Sequence, residues 1–199
     1  MDRGSGCAIA QGMSDQPSLD RGYTVDAYFC LVTDGVLDAR DRVELLDGVI
    51  VAEPPLDPPH ASGISAVADA LQRSVGQRAL VRIQAPLIAG PYSAPEPDVA
   101  VVAGRWRDYV EHHPTTALLV VEVSDSSLQQ DRLSKSRIYA GAGIPEYWIV
   151  NLRGDCLEVF REPDAARRIY TARAVLHRGE HLALTALPDA VVAVDDLLP

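Results

Sequence analysis

The sequence predicts a single α/β domain, a sheet with helices packed on its faces. Three observations carry this expectation. At 199 residues the chain is long enough to bury one sizeable core and short for two. Short runs of strand character alternate with stretches of helical periodicity, in the order α-β-β-α-β-β-β-α-β-β-β. The run "ALLVVEVS" is nearly continuously apolar, as expected of a strand covered on both faces.

The first 22 residues are rich in Gly, Ser, Asp and Gln and read as a disordered tail, leaving 23–199 as the domain. "TVDAYFCLV" reads as a short helix with Thr24 as N-cap and Asp26 in its first turn. "VELLDGVIVAE" reads as a hairpin, because Asp47-Gly48 tolerates the positive φ of a type I′ turn. "PPLDPPH" is expected to be a rigid connection. From His60, the residues Ile64, Val67, Ala68, Leu71 and Val75 keep helical spacing up to Gly76. "ALVRIQAPL", "PDVAVVA" and "ALLVVEVS" follow as strands, then a helix from about Leu128 to Ala140. "EYWIVN" is a strand, "CLEVFRE" and "RIYTARAVL" form a meander, and "AVVAVDDLLP" is a short strand and turn.

Composition narrows the function classes. No apolar run approaches the roughly 20 residues that span a bilayer. Three cysteines (Cys7, Cys30, Cys156) are an odd count with no CxxC, which argues against a disulfide framework or structural zinc and for a reducing cytoplasm. A net charge of −10 counts against a broad nucleic-acid footprint, since phosphate neutralisation dominates such binding. It leaves room for a local basic groove or a bound cation. No GxSxG, P-loop or dinucleotide fingerprint is present.

Three residues stand out chemically. Glu122 interrupts the apolar run "ALLVVEVS", where a carboxylate is costly unless it is paired or bound to a metal. The ordinary reading is a sheet-edge Glu or an Arg partner. Asp98 heads a second apolar strand, and two such acids on neighbouring strands can converge on a hard cation. Lys135 is the only lysine in the chain. Helical spacing puts it on one face with Asp131 and Tyr139, and the ordinary reading is a solvated lysine paired with Asp131. The chain writes Arg at every other strongly basic position, so this site resists a bias that a planar guanidinium satisfies elsewhere.

These residues, in "VELLDG", "PDVAVV", "LLVVEVSDSS" and "DRLSKSRIYAGAGIPEYWIVN", resemble the Uma family of bacterial putative restriction endonucleases, within the PD-(D/E)XK nuclease superfamily. The resemblance covers roughly residues 23–197. It implies a restriction-endonuclease-like core, a mixed sheet flanked by helices, in a single domain. It also implies Mg²⁺-dependent hydrolysis of DNA phosphodiesters, with Mn²⁺ as a substitute and RNA as another possible substrate. Asp98 resembles the first metal-binding acid and Glu122 the second. The superfamily lysine position is occupied by Ser124, and Lys135 resembles the lysine displaced onto the following helix.

Supporting candidates are Glu44, either a third acid or a hairpin-edge residue, and His60, either an orienting group or a helix cap. Gln84, Ser124 and Tyr139 complete the set. His112-His113, His177 and His181 lack metal-ligand spacing and are expected to be exposed or structural. Arg105, Arg107, Arg132 and Arg137 are expected to form a basic rim. Cutting two strands favours a homodimer. The alternative class is a catalytically idle binding or assembly module that keeps the fold, which would not need two convergent carboxylates.

Overall fold

The computed structural model describes residues 22–38 and 40–199, so the expected tail falls, apart from Gly22, outside the described residues. Helix α1 (Val25–Thr33) begins as expected, with the Thr24 hydroxyl accepting from the Ala27 N–H. Strands β1 (Val43–Leu46) and β2 (Val49–Ala52) pair antiparallel. Their turn carries positive φ at Asp47 (48°) and Gly48 (83°), the double positive of a type I′ turn. Leu45 pairs with Ala94, which ties the hairpin to the loop before β4, and Tyr28 of α1 packs over both.

Helix α2 (Pro58–Val75) starts earlier than the spacing predicted. Asp57 is the N-cap, and Pro58 and Pro59 occupy the first helical positions, where a missing N–H costs nothing and φ is already helical. The rigid connection therefore ends at Asp57. α2 closes at Gly76 (φ 57°).

The main sheet has six strands in the order β3-β4-β5-β6-β7-β8: Leu80–Ile83, Val99–Val102, Leu119–Ser124, Glu146–Asn151, Cys156–Asp164 and Ile169–His177. β5 and β6 run parallel and every other neighbouring pair antiparallel, so the sheet is mixed. The expected strand over "ALVRIQAPL" stops at Ile83, because Gln84 adopts a left-handed φ of 42°. Strands β9 (His181–Leu184) and β10 (Leu187–Ala193) form a separate two-stranded sheet.

Period-2 alternation assigns the two faces. Val99, Val101, Val121 and Val123 point toward α2 and the β9–β10 pair, in one core with Trp148, Leu71 and Val192. Ala100, Val102 and Val120 point the other way, into a second core with Tyr139, Ile144 and Tyr147. Gly63 lets α2 approach β5 closely, since a Cβ there would lie 2.7 Å from Val123 Cγ1. Among the described residues no helix is long and apolar enough to cross a membrane.

A parallel pair cannot be joined by a hairpin and needs a crossover. Here the crossover is α3 (Leu128–Gln130), a π turn (Asp131–Lys135) and α4 (Ser136–Gly141). The sequence predicted one regular helix. The π turn, in which the Ser136 N–H bonds to the Asp131 carbonyl, corrects that reading.

Candidate active site

β4 and β5 pair with Val99 opposite Val121, so Asp98 enters β4 directly opposite Glu122. Alternation sends both side chains to the α4 face of the sheet. Both are buried, at 7% and 3% exposure. Asp98 Oδ2 accepts from the Val123 N–H at 2.8 Å, and the Asp98 N–H reaches Glu122 Oε2 at 3.4 Å. The two acids thus meet at one place on adjacent strands.

Lys135 enters from the crossover. It is 5% exposed, with Nζ 3.1 Å from Glu122 Oε1, 3.3 Å from Glu44 Oε1 and 3.9 Å from Glu53 Oε1. The expected solvated lysine paired with Asp131 is not what forms: the π turn carries Nζ to the β1 and β5 acids instead. Glu44 is likewise no hairpin-edge residue; it is 1% exposed, and its Oε2 accepts from the Glu96 N–H at 3.1 Å. The Tyr139 hydroxyl donates to Glu122 Oε1 at 2.7 Å and so fixes that carboxylate.

His60 is not the cap of α2, because Asp57 takes that role through the His60 N–H at 3.0 Å. The His60 ring is free to face Asp98, with Nε2 3.1 Å from Oδ2. Gln84 Nε2 donates to Asp98 Oδ1 at 3.4 Å. Ser124 Oγ sits 3.3 Å from Ser127 Oγ, and Ser127 donates to Asp131 at 2.7 Å. All eight sequence candidates therefore lie in or against one cleft. The remaining histidines do not: His113 stacks on Phe29, while His177 and His181 are exposed around the turn between β8 and β9.

The basic rim is only partly as expected. Arg132 is bound to the buried Glu158 together with Arg173, whereas Arg105, Arg107 and Arg137 have no acid within ion-pair distance among the described residues. Sequence reading missed Glu53 and Glu96 and gave Asp131 only a helix-pairing role. A signal for Glu53 was present in the hairpin register: Glu44 faces Val51, so alternation puts Glu53 on the same side.

The cleft, about 110 Å³, is lined by seven carboxylates (Glu44, Glu53, Asp57, Asp98, Glu122, Asp125, Asp131) against Lys135, Arg42 and His60. That imbalance shifts proton affinities. Burial pushes the Glu122 carboxyl well above its usual range, with Asp98, Asp131 and Glu44 adding to it against Lys135. Burial also raises Asp131, and burial with Glu44 raises Glu53. Glu96 rises to about 7 through burial and the nearby Glu53 and Glu44. Burial works against the Lys135 ammonium, but Glu122, Glu44, Asp131 and Glu53 together hold its pKa well above normal. The hydrogen bond to Asp98 raises His60. One ammonium is shared among several acids, and each acid receives only part of its field.

Among the described residues no group of three or more His, Cys, Asp and Glu side chains is preassembled around a metal position. The donor chemistry fits a hard cation nonetheless. Asp98 Oδ1 and Glu122 Oε2 are the least committed oxygens of the pair, each holding only a 3.4 Å contact. Mg²⁺ is commonly held by one or two carboxylates plus waters and substrate oxygens rather than by an all-protein cage.

Convergent acids on neighbouring strands of a mixed sheet, beneath a lysine carried in by the crossover helix, define a nuclease-like α/β protein. The chain belongs to the Uma2 family, described as "Putative restriction endonuclease", whose model matches residues 25–195. A crystal structure of a putative nuclease belonging to DUF820 from Anabaena variabilis, at 1.96 Å resolution, is similar in fold, with a TM-score of 0.65. The two are 14% identical, and the match covers 88% of this chain and 97% of that one. At such identity the likeness establishes the fold alone. No curated protein matches the chain.

Proposed function

We propose that this protein is a Mg²⁺-dependent endonuclease that hydrolyses DNA phosphodiester bonds, with Mn²⁺ as a working substitute. The observation that carries the reading is the meeting of Asp98, Glu122 and Lys135 in one acidic cleft. Asp98 and Glu122, with the Val123 carbonyl, would hold the cation. When bound, that cation supplies Lewis-acid neutralisation of the scissile phosphate and lowers the pKa of its water.

The protein's own groups then have separable tasks. The protonated Lys135 presents a compact, rotatable ammonium beside Glu122, suited to the charge that develops on phosphorus. Tyr139 holds Glu122 Oε1, and the Val123 N–H and His60 hold Asp98 Oδ2, leaving one oxygen of each acid for the cation. Ser124 stands where the superfamily places its lysine, so in this reading the charge comes from the helix. On a duplex, cutting both strands takes two such sites and so a homodimer, whereas a single strand needs only one; the setting is a reducing cytoplasm.

The test is cleavage of supercoiled plasmid, single-stranded DNA and RNA by the purified protein with Mg²⁺, Mn²⁺ or EDTA. Cleavage that needs the ion and is lost in Asp98→Asn and Glu122→Gln is the expected result. A wild type that binds the ion and cuts none of the three substrates would assign the fold to an idle binding module.

A further inference from the structure

Arginine and aromatic side chains gather along the β3 edge of the sheet. Arg82 pairs across with Ala100, two residues from Asp98, so its side chain lies on the same face as the acid pair. Its Nε is buried with no hydrogen-bond partner, and its Nη2 lies 3.5 Å from His113 Nδ1. Burial and the adjacent Arg82 lower the His113 pKa. Arg82 Cζ sits 5.6 Å from the centroid of Tyr109, whose hydroxyl is tied to the Ala103 carbonyl at 2.7 Å. Beyond Tyr109, Arg107 stacks on Trp106 at 4.4 Å, and the Trp106 side chain stands 60% exposed.

Most arginines of this acidic protein are spent on carboxylates. Among the described residues five have no acid within ion-pair distance (Arg78, Arg82, Arg105, Arg107 and Arg137), and three of these five lie here. The acids of this loop are Asp108 and Glu111; Asp108 accepts from the Arg105 backbone N–H at 2.8 Å, and neither pairs with an arginine. Arg82 is thus a half-buried cation with no anion beside it, and the exposed indole of Trp106 on the adjoining turn is an apolar surface without a cover.

We propose that Arg82, Tyr109, Trp106 and Arg107 form a binding strip for single-stranded nucleic acid, leading a strand toward Asp98 and Glu122. The phosphates lie along Arg82, Arg105 and Arg107, and an unpaired base stacks on the open face of Trp106. Unpaired bases expose the π-faces that such aromatic platforms take, and duplex bases do not. Three arginines are also too few to neutralise the phosphates of a long duplex on a chain of net charge −10. From Asp98 to Val102 the rise is about 13 Å, so one short strand spans both sites. This inference rests on the phosphodiesterase reading above and names which form of the substrate the cleft receives.

The chain has two tryptophans, and Trp148 is fully buried, so collisional quenching reports on Trp106. The experiment titrates an oligothymidylate of about ten nucleotides in EDTA, reading tryptophan quenching and the anisotropy of a labelled strand. Binding should quench Trp106 and weaken as salt rises. It should fall about tenfold or more in Trp106→Ala. Arg107→Gln should flatten the logarithmic salt dependence by about 0.7 per lost contact, with Arg82→Gln doing the same. Arg107 is exposed, so its variant keeps the test independent of folding. Arg167→Gln, which removes the same charge from the exposed turn between β7 and β8 at the opposite edge of the sheet, should leave the affinity unchanged.

An unquenched Trp106, equal affinity in the strip variants, or equally tight binding of a duplex of the same length would overturn the proposal. So would self-association abolished by Trp106→Ala, which would give the face to a second copy of the chain. Because binding is read without divalent ion, a protein that binds through the strip and cuts nothing defeats the nuclease reading alone. One that cuts with no dependence on the strip defeats only this inference.

Discussion

Replacing Lys135 is the most direct trial of the site. The ammonium lies 3.1 Å from Glu122 and 3.3 Å from Glu44, and both acids are almost wholly buried. Lys135→Met keeps the stem and removes the charge, leaving two carboxylates uncompensated. Breaking a buried pair in this way costs about 3–5 kcal/mol. Here the low end is expected, because Glu122 already has a raised pKa and can take up a proton instead. About 3 kcal/mol lowers the melting temperature of a domain this size by roughly 6–12 °C. The sign with pH follows: the cost is present above the raised pKa of Glu122 and fades as pH falls through it. Lys135→Arg keeps the charge but brings a larger, planar group into a space that leaves the side chain 7% exposed, an overpacking cost of about 1–3 kcal/mol. Its DNA cleavage should fall about 10²- to 10³-fold, as when a preorganised donor to developing charge is lost. The assay pairs melting curves across pH with plasmid cleavage at matched Mg²⁺. A methionine variant that melts like wild type would refute the buried ammonium, and full cleavage by the arginine variant would refute its catalytic role.

Other perturbations have equally definite outcomes. Mg²⁺ at a hundredfold its Kd should stabilise the wild type by about 2.7 kcal/mol, and Asp98→Asn should abolish the melting shift; an undiminished shift would put the ion elsewhere. Glu96, with a pKa raised to about 7, binds more protons folded than unfolded, so the wild type gains stability as pH falls from 7 toward the ordinary carboxylate range. Glu96→Gln should therefore stabilise the protein above pH 7, by no more than about 1 kcal/mol given its partial exposure, with a higher melting temperature there and no gain in acid; a pH-independent effect would exclude this cause. Gly63→Ala should lower stability by about 1–3 kcal/mol, because the new methyl meets Val123 Cγ1 at 2.7 Å, and an unchanged melting curve would contradict that close approach of α2 to β5.

Much of this architecture was legible because local rules and tertiary context agree. The Asp47-Gly48 turn, the apolar β5 and the Thr24 cap each follow from one chemical preference that packing did not oppose. Asp98 and Glu122 were conspicuous because a charge inside an apolar strand has few explanations. What stayed hidden depends on phase and distance. No spacing rule announces a π turn, so helical geometry paired Lys135 with Asp131, while the folded chain gives it to Glu44 and Glu122. His60 reads as a cap because it follows two prolines, but its ring bonds to a residue far along the chain. Arg82 looks ordinary in "LVRIQ", and only the fold shows that it has no carboxylate partner.

The site draws its groups from the β1–β2 hairpin, the β4 and β5 ends and the β5–β6 crossover, which are far apart in sequence. During synthesis the hairpin and β4–β5 emerge first, and until the crossover docks their acids face one another without the ammonium that balances them. Parallel pairing of β5 with β6 closes a long loop and is a slow, non-local event. The balanced centre thus waits for a segment made after the acids it serves. A half-made copy holds carboxylates without their lysine, and the cleft is complete only once the crossover has docked.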